Sequence, residues 1–400
     1  MRAVFAAALL LAAGCWSRDD FRSKCILEGN CQLDEVDAGF DAGLDPRRWK
    51  EVAALLFEGL DGGDSSFDVS FVTNLTAQTS TGCGFQGGVL TSFGSVMCIP
   101  TESERALEFF PDGGVAPVSI QPPSGWAGGV LLADDTVLGV PAGAPSALLL
   151  PRPKAPFPNR NPDYLVLGAS GPGPFSGAAV TADGTIVCAT TSAAAFLRAD
   201  GGTRQAAGTG EYAGAVLTES GRSVLLVPRS ALHVFEATPR TLTTTDRVTQ
   251  RGTGDFTRLA GGLLLESGDA LLTPAVAGDV FVRVPADGGA PSNVTSAISR
   301  VSLFSAAWST NGYAYGLDVD GGSAQVAVID RRGNVTWQQL PASALDAGLF
   351  GPLSHIGLTA MADGRLISCG CRSSSAMILT PRNRRTLPIE VMTSPWLNKW

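Results

Sequence analysis

The sequence predicts an all-β fold: a β-propeller of seven four-stranded blades, preceded by a short helix and a flexible tether. Two observations predict it, a composition rich in turn-forming residues and a unit that recurs about every 45 residues. The chain of 400 residues contains 48 glycines and 25 prolines, against 29 lysines and arginines. Because glycine and proline punctuate a chain, this balance favours many short strands over long helices.

The recurring unit consists of small residues, an apolar run, a polar turn and a second apolar run. Aligned on the turn, its anchor positions are Gly94, Asp135, Gly184, Gly221, Gly268, Gly312 and Gly364. Their mean spacing is about 45 residues, the length of a propeller blade. One such unit cannot cover its own apolar faces, so copies must stack beside each other. Six blades, eight blades or a stack of irregular β domains are the alternatives.

The turn chemistry supports hairpins within each unit. Asp-Gly, Ser-Gly and Asn-Gly tolerate positive φ and close tight turns between strands. The segment from Ser66 to Asn74 precedes the first hairpin, and we expect it to supply the outer strand of the last blade and so close the ring. The fifteen residues from Phe281 to Thr295 resemble the repeat of TolB-like (WD40-like) propellers. That resemblance implies the fold and no activity, because unrelated functions share propellers.

The first residues predict export. Arg2 precedes an apolar run from Ala3 to Ala13, which is too short to span a membrane and fits a signal peptide over residues 1–14. The run ends in Leu-Ala-Ala-Gly-Cys, which resembles the lipobox of bacterial lipoproteins. The resemblance implies diacylglycerol and a fatty acid such as palmitate on Cys15, although alanine stands where leucine is more usual. An ordinary secretory signal is the alternative.

The resemblance also implies a location. Trp16 follows the cysteine instead of the aspartate that is associated with inner-membrane retention, which favours the outer membrane, on its periplasmic or its surface side. We expect the lipid to be the only membrane contact, since two or three buried acyl chains hold a protein at a bilayer.

Residues 15–45 are expected to form an acidic tether. A four-residue repeat of Asp-Ala-Gly runs from Asp37 to Asp45, where the like charges repel each other and few groups can be buried. Calcium binding is a sharper alternative, but the ligand spacing of a known calcium loop is lacking. Residues 46–63 are predicted to form a short helix, with Asp45 as N-cap and Pro46 as the first helical residue. Residues 64–400 then form the propeller domain.

Eight cysteines are present, and lipidation of Cys15 would leave seven. We predict a small disulfide loop between Cys25 and Cys31, and a pairing of Cys83 with Cys98 across a hairpin. The Cys369-Gly-Cys371 pair is too close in sequence for an easy internal disulfide. Three cysteines follow a hairpin turn by four or five residues and are expected to be buried; they are Cys98, Cys188 and Cys369.

The chemistry-bearing residues are sparse. The net charge of −8 and the absence of a basic cluster argue against nucleic-acid binding. The two histidines, His233 and His355, are expected at strand ends or in the core. The acids Asp134, Asp135, Asp183, Asp269 and Asp363 fall in predicted turns, where aspartate is common. Asp318 and Asp320 match only part of a calcium loop, and we predict no metal and no cofactor.

These observations favour a membrane-anchored, monomeric binding or scaffold protein, with a protein or glycan ligand at the propeller face. The alternative is a periplasmic or surface enzyme, a lyase or glycosidase, acting at the mouth of the propeller channel. The tryptophans Trp126, Trp308, Trp337, Trp396 and Trp400 could stack on sugars, but core packing is the simpler expectation. Converging acids or a histidine at the mouth would favour the enzyme.

Overall fold

A computed structural model shows an all-β propeller, which confirms the predicted fold class. The structure describes residues 48–59, 63–73, 75, 84–103, 105–120, 125–144, 147–150, 165–167, 175–190, 193–197, 203–207, 211–230, 233–239, 243–249, 258–276, 278–294, 302–318, 324–342, 355, 357–370 and 375–397. Cys15, Cys25, Cys31 and Cys83 lie outside these ranges. No helix within them is long and apolar enough to cross a membrane.

In the described residues, 28 strands form seven antiparallel four-stranded sheets, which we number in chain order from the inner strand outwards. Sheet 1 is β2 (Phe85–Leu90), β3 (Val96–Pro100), β4 (Arg105–Phe109) and β5 (Val115–Ser119), and sheet 2 is β6 (Trp126–Leu131), β7 (Val137–Pro141), β8 (Ala147–Leu150) and β9 (Leu165–Leu167). Sheet 3 is β10 (Phe175–Val180), β11 (Ile186–Thr190), β12 (Ala193–Leu197) and β13 (Thr203–Ala207), and sheet 4 is β14 (Tyr212–Leu217), β15 (Val224–Pro228), β16 (His233–Thr238) and β17 (Thr243–Thr249). Sheet 5 is β18 (Leu259–Leu264), β19 (Ala270–Pro274), β20 (Phe281–Val284) and β21 (Ser292–Val294), and sheet 6 is β22 (Leu303–Trp308), β23 (Ala314–Asp318), β24 (Gln325–Ile329) and β25 (Val335–Gln339). Sheet 7 is β26 (Thr359–Ala360), β27 (Leu366–Ser368), β28 (Ala376–Pro381) and β1 (Phe67–Val72).

The hairpin between the first two strands of each sheet turns at the predicted position. All seven anchors have positive φ, from 65° at Asp135 to 85° at Gly268. Asp135 alone is not glycine, and aspartate is one of the few residues that visit this region. The anchor N–H donates to the carbonyl three residues earlier, as from Gly94 to Thr91 at 2.9 Å. Local turn chemistry therefore specifies these hairpins.

Sheet 7 closes the ring with strands from both ends of the chain. β1 pairs with β28 in the register Phe67↔Pro381 to Val72↔Ala376, which confirms the predicted closing strand. On the other side, sheet 7 contacts sheet 1: the Thr359 hydroxyl donates to the Gly88 carbonyl at 3.0 Å and accepts from the Gly88 N–H at 3.1 Å. The seven sheets therefore do not form one continuous hydrogen-bonded barrel, and side-chain contacts such as this one join sheet 7 to sheet 1.

Two helices pack on the face formed by the seven hairpin turns, which we call the hairpin face. In α1 (Trp49–Phe57), the buried residues are Trp49, Val52, Ala53, Leu56 and Phe57. The Trp49 indole N–H donates to the Leu265 carbonyl beside the sheet 5 turn at 2.9 Å. The short α2 (Ile389–Met392) precedes Trp396, whose indole N–H donates to Thr218 beside the sheet 4 turn at 3.0 Å.

The start of α1 differs from the prediction. Arg48 is the N-cap and makes no side-chain cap bond, so the helix begins three residues later than predicted, and the proposed Asp45 cap is wrong. Packing explains the shift, because Trp49 is the first buried residue of the described chain, at 1% exposure, and follows the exposed Arg48. At the other end, the Arg385 guanidinium donates to the carbonyls of Leu55 and Leu56 at 3.0 and 2.7 Å, which satisfies the last turn.

Candidate functional site

The channel of the propeller has two mouths, and the helices cover one of them. Phe57 of α1 packs edge-on against Trp308 at 5.0 Å between ring centres, and Trp49 packs against Trp396 at 6.4 Å. All four rings are 2% exposed or less. The opposite mouth lies where the seven inner strands begin, and we call this side the far face. Neither α1 nor α2 lies over it, so it is the candidate site for a ligand.

Inner strands are irregular where they reach the far face. Six of the seven pairings between the first two strands shift register just after the first residue of the inner strand, as between Phe175 and Gly177 or Tyr212 and Gly214. Such bulges redirect side chains and are common near sites. The residues at two of these shifts, Ser176 and Ala213, are small and half-buried. Two of the inner strands therefore have small residues at their far-face ends.

A backbone connector links sheets 4 and 5 at the far face. The N–H of Arg229 donates to Glu211 at 2.8 Å, that of Arg258 donates to Arg229 at 2.7 Å, and that of Ala275 donates to Arg258 at 2.6 Å. Arg229, Arg258 and Glu211 are exposed. Arg258 has φ 82°, a left-handed conformation that is uncommon outside glycine.

Sheets 1 and 2 contain the same connector with different residues. Gly125 donates to Thr101 at 2.8 Å, and Ala142 donates to Gly125 at 2.7 Å. Gly125, the counterpart of Arg258, also has positive φ, at 110°. No sequence motif marks Arg258. The correspondence of Arg258 with Gly125 emerges only from the backbone hydrogen bonds that both residues make.

A different polar pair repeats at the hairpin face. Ser95 donates to the buried carboxylate of Glu108 at 2.7 Å in sheet 1, and Ser223 donates to Glu236 in sheet 4. In sheet 5 the corresponding pair is Asp269 and Arg283, with an N–O distance of 2.5 Å. Burial acts to raise the pKa of Asp269, but the Ala286 N–H and the Arg283 guanidinium outweigh it and hold that pKa below its ordinary value. These pairs join the second and third strands of a sheet.

A cleft of about 150 Å³ opens beside these pairs, between sheets 4 and 5. Its polar lining includes Glu219 and Glu236. Glu219 lies 3.5 Å from the ammonium group of Lys50, and Glu236 accepts the bond from Ser223. Both carboxylates thus have partners within the fold, and the far face remains the better candidate site.

The cysteines pair differently from the prediction. Cys98 forms a disulfide with Cys369, 271 residues away, with a Cα–Cα distance of 5.8 Å. The predicted pairing of Cys83 with Cys98 is therefore wrong. Cys98 is the third residue of β3, whereas Cys369 stands one place further along its strand, directly after β27. Because side chains alternate between the two faces of a strand, this offset points the two cysteines at each other across the junction of sheets 1 and 7.

Cys188, the third residue of β11, is buried and free, as expected. The predicted loop between Cys25 and Cys31 and the lipidated Cys15 lie outside the described residues, so both stay predictions.

The other residues singled out from the sequence occupy structural positions. His355 is buried and its ring centre lies 5.9 Å from that of Phe71, while His233 begins β16, the third strand of its sheet. Three turn aspartates, Asp134, Asp183 and Asp363, accept N–H groups of their own turns, as from Thr185 to Asp183 at 3.1 Å, whereas Asp269 binds Arg283. Asp318 ends β23 and is buried, whereas Asp320 falls outside the described ranges. Among described side chains, no three His, Cys, Asp or Glu residues lie close enough to hold a metal.

Most of the tryptophans singled out from the sequence are buried in the core, as expected. Trp126, Trp308 and Trp396 are 2% exposed or less, and Trp337 is half-buried. Trp400 lies outside the described ranges. None of the three buried rings is available to stack on a sugar, so core packing is their role in this fold.

Solved structures share the fold at low sequence identity. A streptogramin B lyase matches with a TM-score of 0.61 and 12% identity, over 79% of this chain and 98% of that one. A catalytically inactive virginiamycin B lyase from Staphylococcus aureus, solved with Quinupristin, matches with a TM-score of 0.62 and 10% identity, over 79% and 99%. The β-propeller domain of Myceliophteria thermophila Cps50 (Swd1) matches at 0.55 and 11%, over 78% and 98%. At such identities the likeness shows the propeller fold alone. No family model and no curated protein matches the sequence.

Proposed function

We propose that this chain is an exported lipoprotein, held at the outer membrane by lipid on Cys15, whose propeller binds a ligand at the far face. In this proposal each sheet is one blade of a seven-bladed ring. The single observation that carries export is the Cys98–Cys369 disulfide. Disulfides persist in oxidising compartments outside the cytosol, so this bond agrees with the signal peptide inferred from residues 1–14.

Geometry supports the choice of face. The described chain enters the propeller through α1, which packs on the hairpin face. The two helices already occupy the channel mouth on that side, and neither of them covers the far face. The ligand would therefore bind at the far face, and it would be a protein or glycan.

The anchor is tested by metabolic labelling with radioactive palmitate in a bacterial host. The wild type and a Cys188→Ser control, which removes a buried thiol, should both incorporate label, whereas Cys15→Ala should not. The physical reason is that only the lipobox cysteine would receive diacylglycerol. Equal labelling of all three proteins, or of none, would overturn the lipoprotein proposal.

A further inference from the structure

We propose that the far face recognises an oxyanion on its ligand, a carboxylate, phosphate or sulfate, through the guanidinium groups of Arg229 and Arg258. This inference rests on the proposed function, because it names the chemistry of the ligand at that same face. It predicts an acidic ligand for a chain whose own net charge is −8.

Position is the first argument. Arg229 directly follows the second strand of sheet 4, and Arg258 directly precedes the inner strand of sheet 5. Their backbones are joined by the bond of 2.7 Å from Arg258 to Arg229. The two side chains therefore start from fixed, neighbouring points at the edge of the mouth.

Backbone conformation is the second argument. At the corresponding place in sheet 2 the chain has Gly125, which adopts positive φ without a Cβ penalty. Arg258 makes the same two hydrogen bonds at φ 82°, where any side chain is strained. Glycine would adopt this conformation without that strain, so the needs of the connector alone do not explain the arginine. Strain of this kind is concentrated at functional sites.

Unused charge is the third argument. On the hairpin face, three arginine side chains have partners, Arg283 with Asp269, Arg365 with Asp363, and Arg385 with several carbonyls, while that of Arg222 has none among the described residues. In the described part of the chain, by contrast, the guanidinium groups of Arg229 and Arg258 have no ion pair or hydrogen bond, and both residues are exposed. Each guanidinium presents two parallel N–H donors that match an oxyanion.

The test compares binding and stability in the same variants. Trigalacturonate, its neutral methyl ester and inorganic phosphate are titrated by calorimetry into the wild type, Arg258→Gly, Arg229→Ala and Arg222→Ala. Arg222 is an exposed arginine of the sheet 4 hairpin turn and serves as the matched control. Unfolding midpoints in urea are measured for each protein.

We expect the wild type and Arg222→Ala to bind trigalacturonate or phosphate, and to bind the methyl ester at least about tenfold more weakly. Arg258→Gly should lose about tenfold or more in affinity for the anion. Its urea midpoint should stay equal or rise, because glycine relieves the left-handed strain. Binding of trigalacturonate alone would identify a carboxylated sugar, and binding of phosphate alone a phosphoryl group.

The inference is overturned if the wild type binds none of the three probes, or if Arg258→Gly and Arg229→Ala bind the anions as tightly as the control. An Ala213→Trp variant, which adds bulk at the far-face end of β14 without removing charge, separates this failure from that of the proposed function. If Ala213→Trp loses binding while the arginine variants keep it, the far face binds without anion recognition. Palmitate labelling tests the anchor independently of either result.

Discussion

Single residues decide how neighbouring sheets meet in this ring. The third residue of a second strand faces the preceding sheet, and the fourth faces the following one. Cys98 of sheet 1 meets Cys369 of sheet 7 in this way. At the next junction, between sheets 1 and 2, Ile99 faces Gly139, since a Cβ atom added to Gly139 would lie 3.4 Å from Cγ2 of Ile99. Cys188 follows the same rule and packs with residues of sheet 2, such as Val140. A one-residue change of register would reverse all these contacts.

The buried position of Cys188 determines its reactivity. Burial raises the pKa of this thiol to about 12, and the thiolate is the nucleophile. We predict that iodoacetamide at neutral pH leaves Cys188 unmodified in the native protein and alkylates it in guanidinium chloride, as read by peptide mass spectrometry.

The raised pKa also predicts a pH dependence. The unfolded thiol ionises near pH 8.5, so the stability that the neutral thiol contributes is complete below about that pH. It is lost progressively as the pH rises from there towards about 12, the folded-state pKa. Alkylation of native Cys188 at the unfolded rate would contradict the burial.

At the scale of elements, the sequence predicted the hairpins but not the contacts between elements that lie far apart in the chain. The turns at Gly94 and Asp135 depend on local chemistry, which a sequence displays directly. The start of α1 at Trp49 depends on burial against Leu265 and Trp396, residues far away in sequence, and local capping signals at Asp45 misplaced it. The connector with Arg258 was invisible for a related reason, since an arginine in a left-handed conformation carries no turn signature.

The third residue of a second strand faces the preceding sheet and the fourth faces the following one, and this junction rule predicts a second disulfide between sheets. Val140 is the fourth residue of β7 and faces Cys188, as Cys369 faces Cys98. Val140→Cys should therefore form a disulfide with Cys188 on oxidation, detected as loss of free thiol and a linked peptide. Val137→Cys is the matched control, because Val137 packs with residues of sheet 1 and should leave both thiols free. A disulfide in the control, or none in Val140→Cys, would contradict the rule.

At the scale of the whole molecule, the spacing of about 45 residues was enough to predict a ring of stacked sheets. It could not predict which residues meet at the closure, because Cys98 and Cys369 are brought together only when the ring is complete. Hence the sequence suggested Cys83, the nearer cysteine, as a partner. Nor could it show that α1 and Trp396 pack over one mouth, which makes the far face the candidate site.

The closed ring is tested most directly by mapping disulfides in the exported protein without reduction. Protease digestion and mass spectrometry should recover a peptide from β3 linked through Cys98 to the peptide that contains Cys369. That linkage joins the first and last sheets across 271 residues, which an open stack of sheets would not allow. Recovery of Cys98 linked to Cys83, with Cys369 free, would contradict the closure of the propeller.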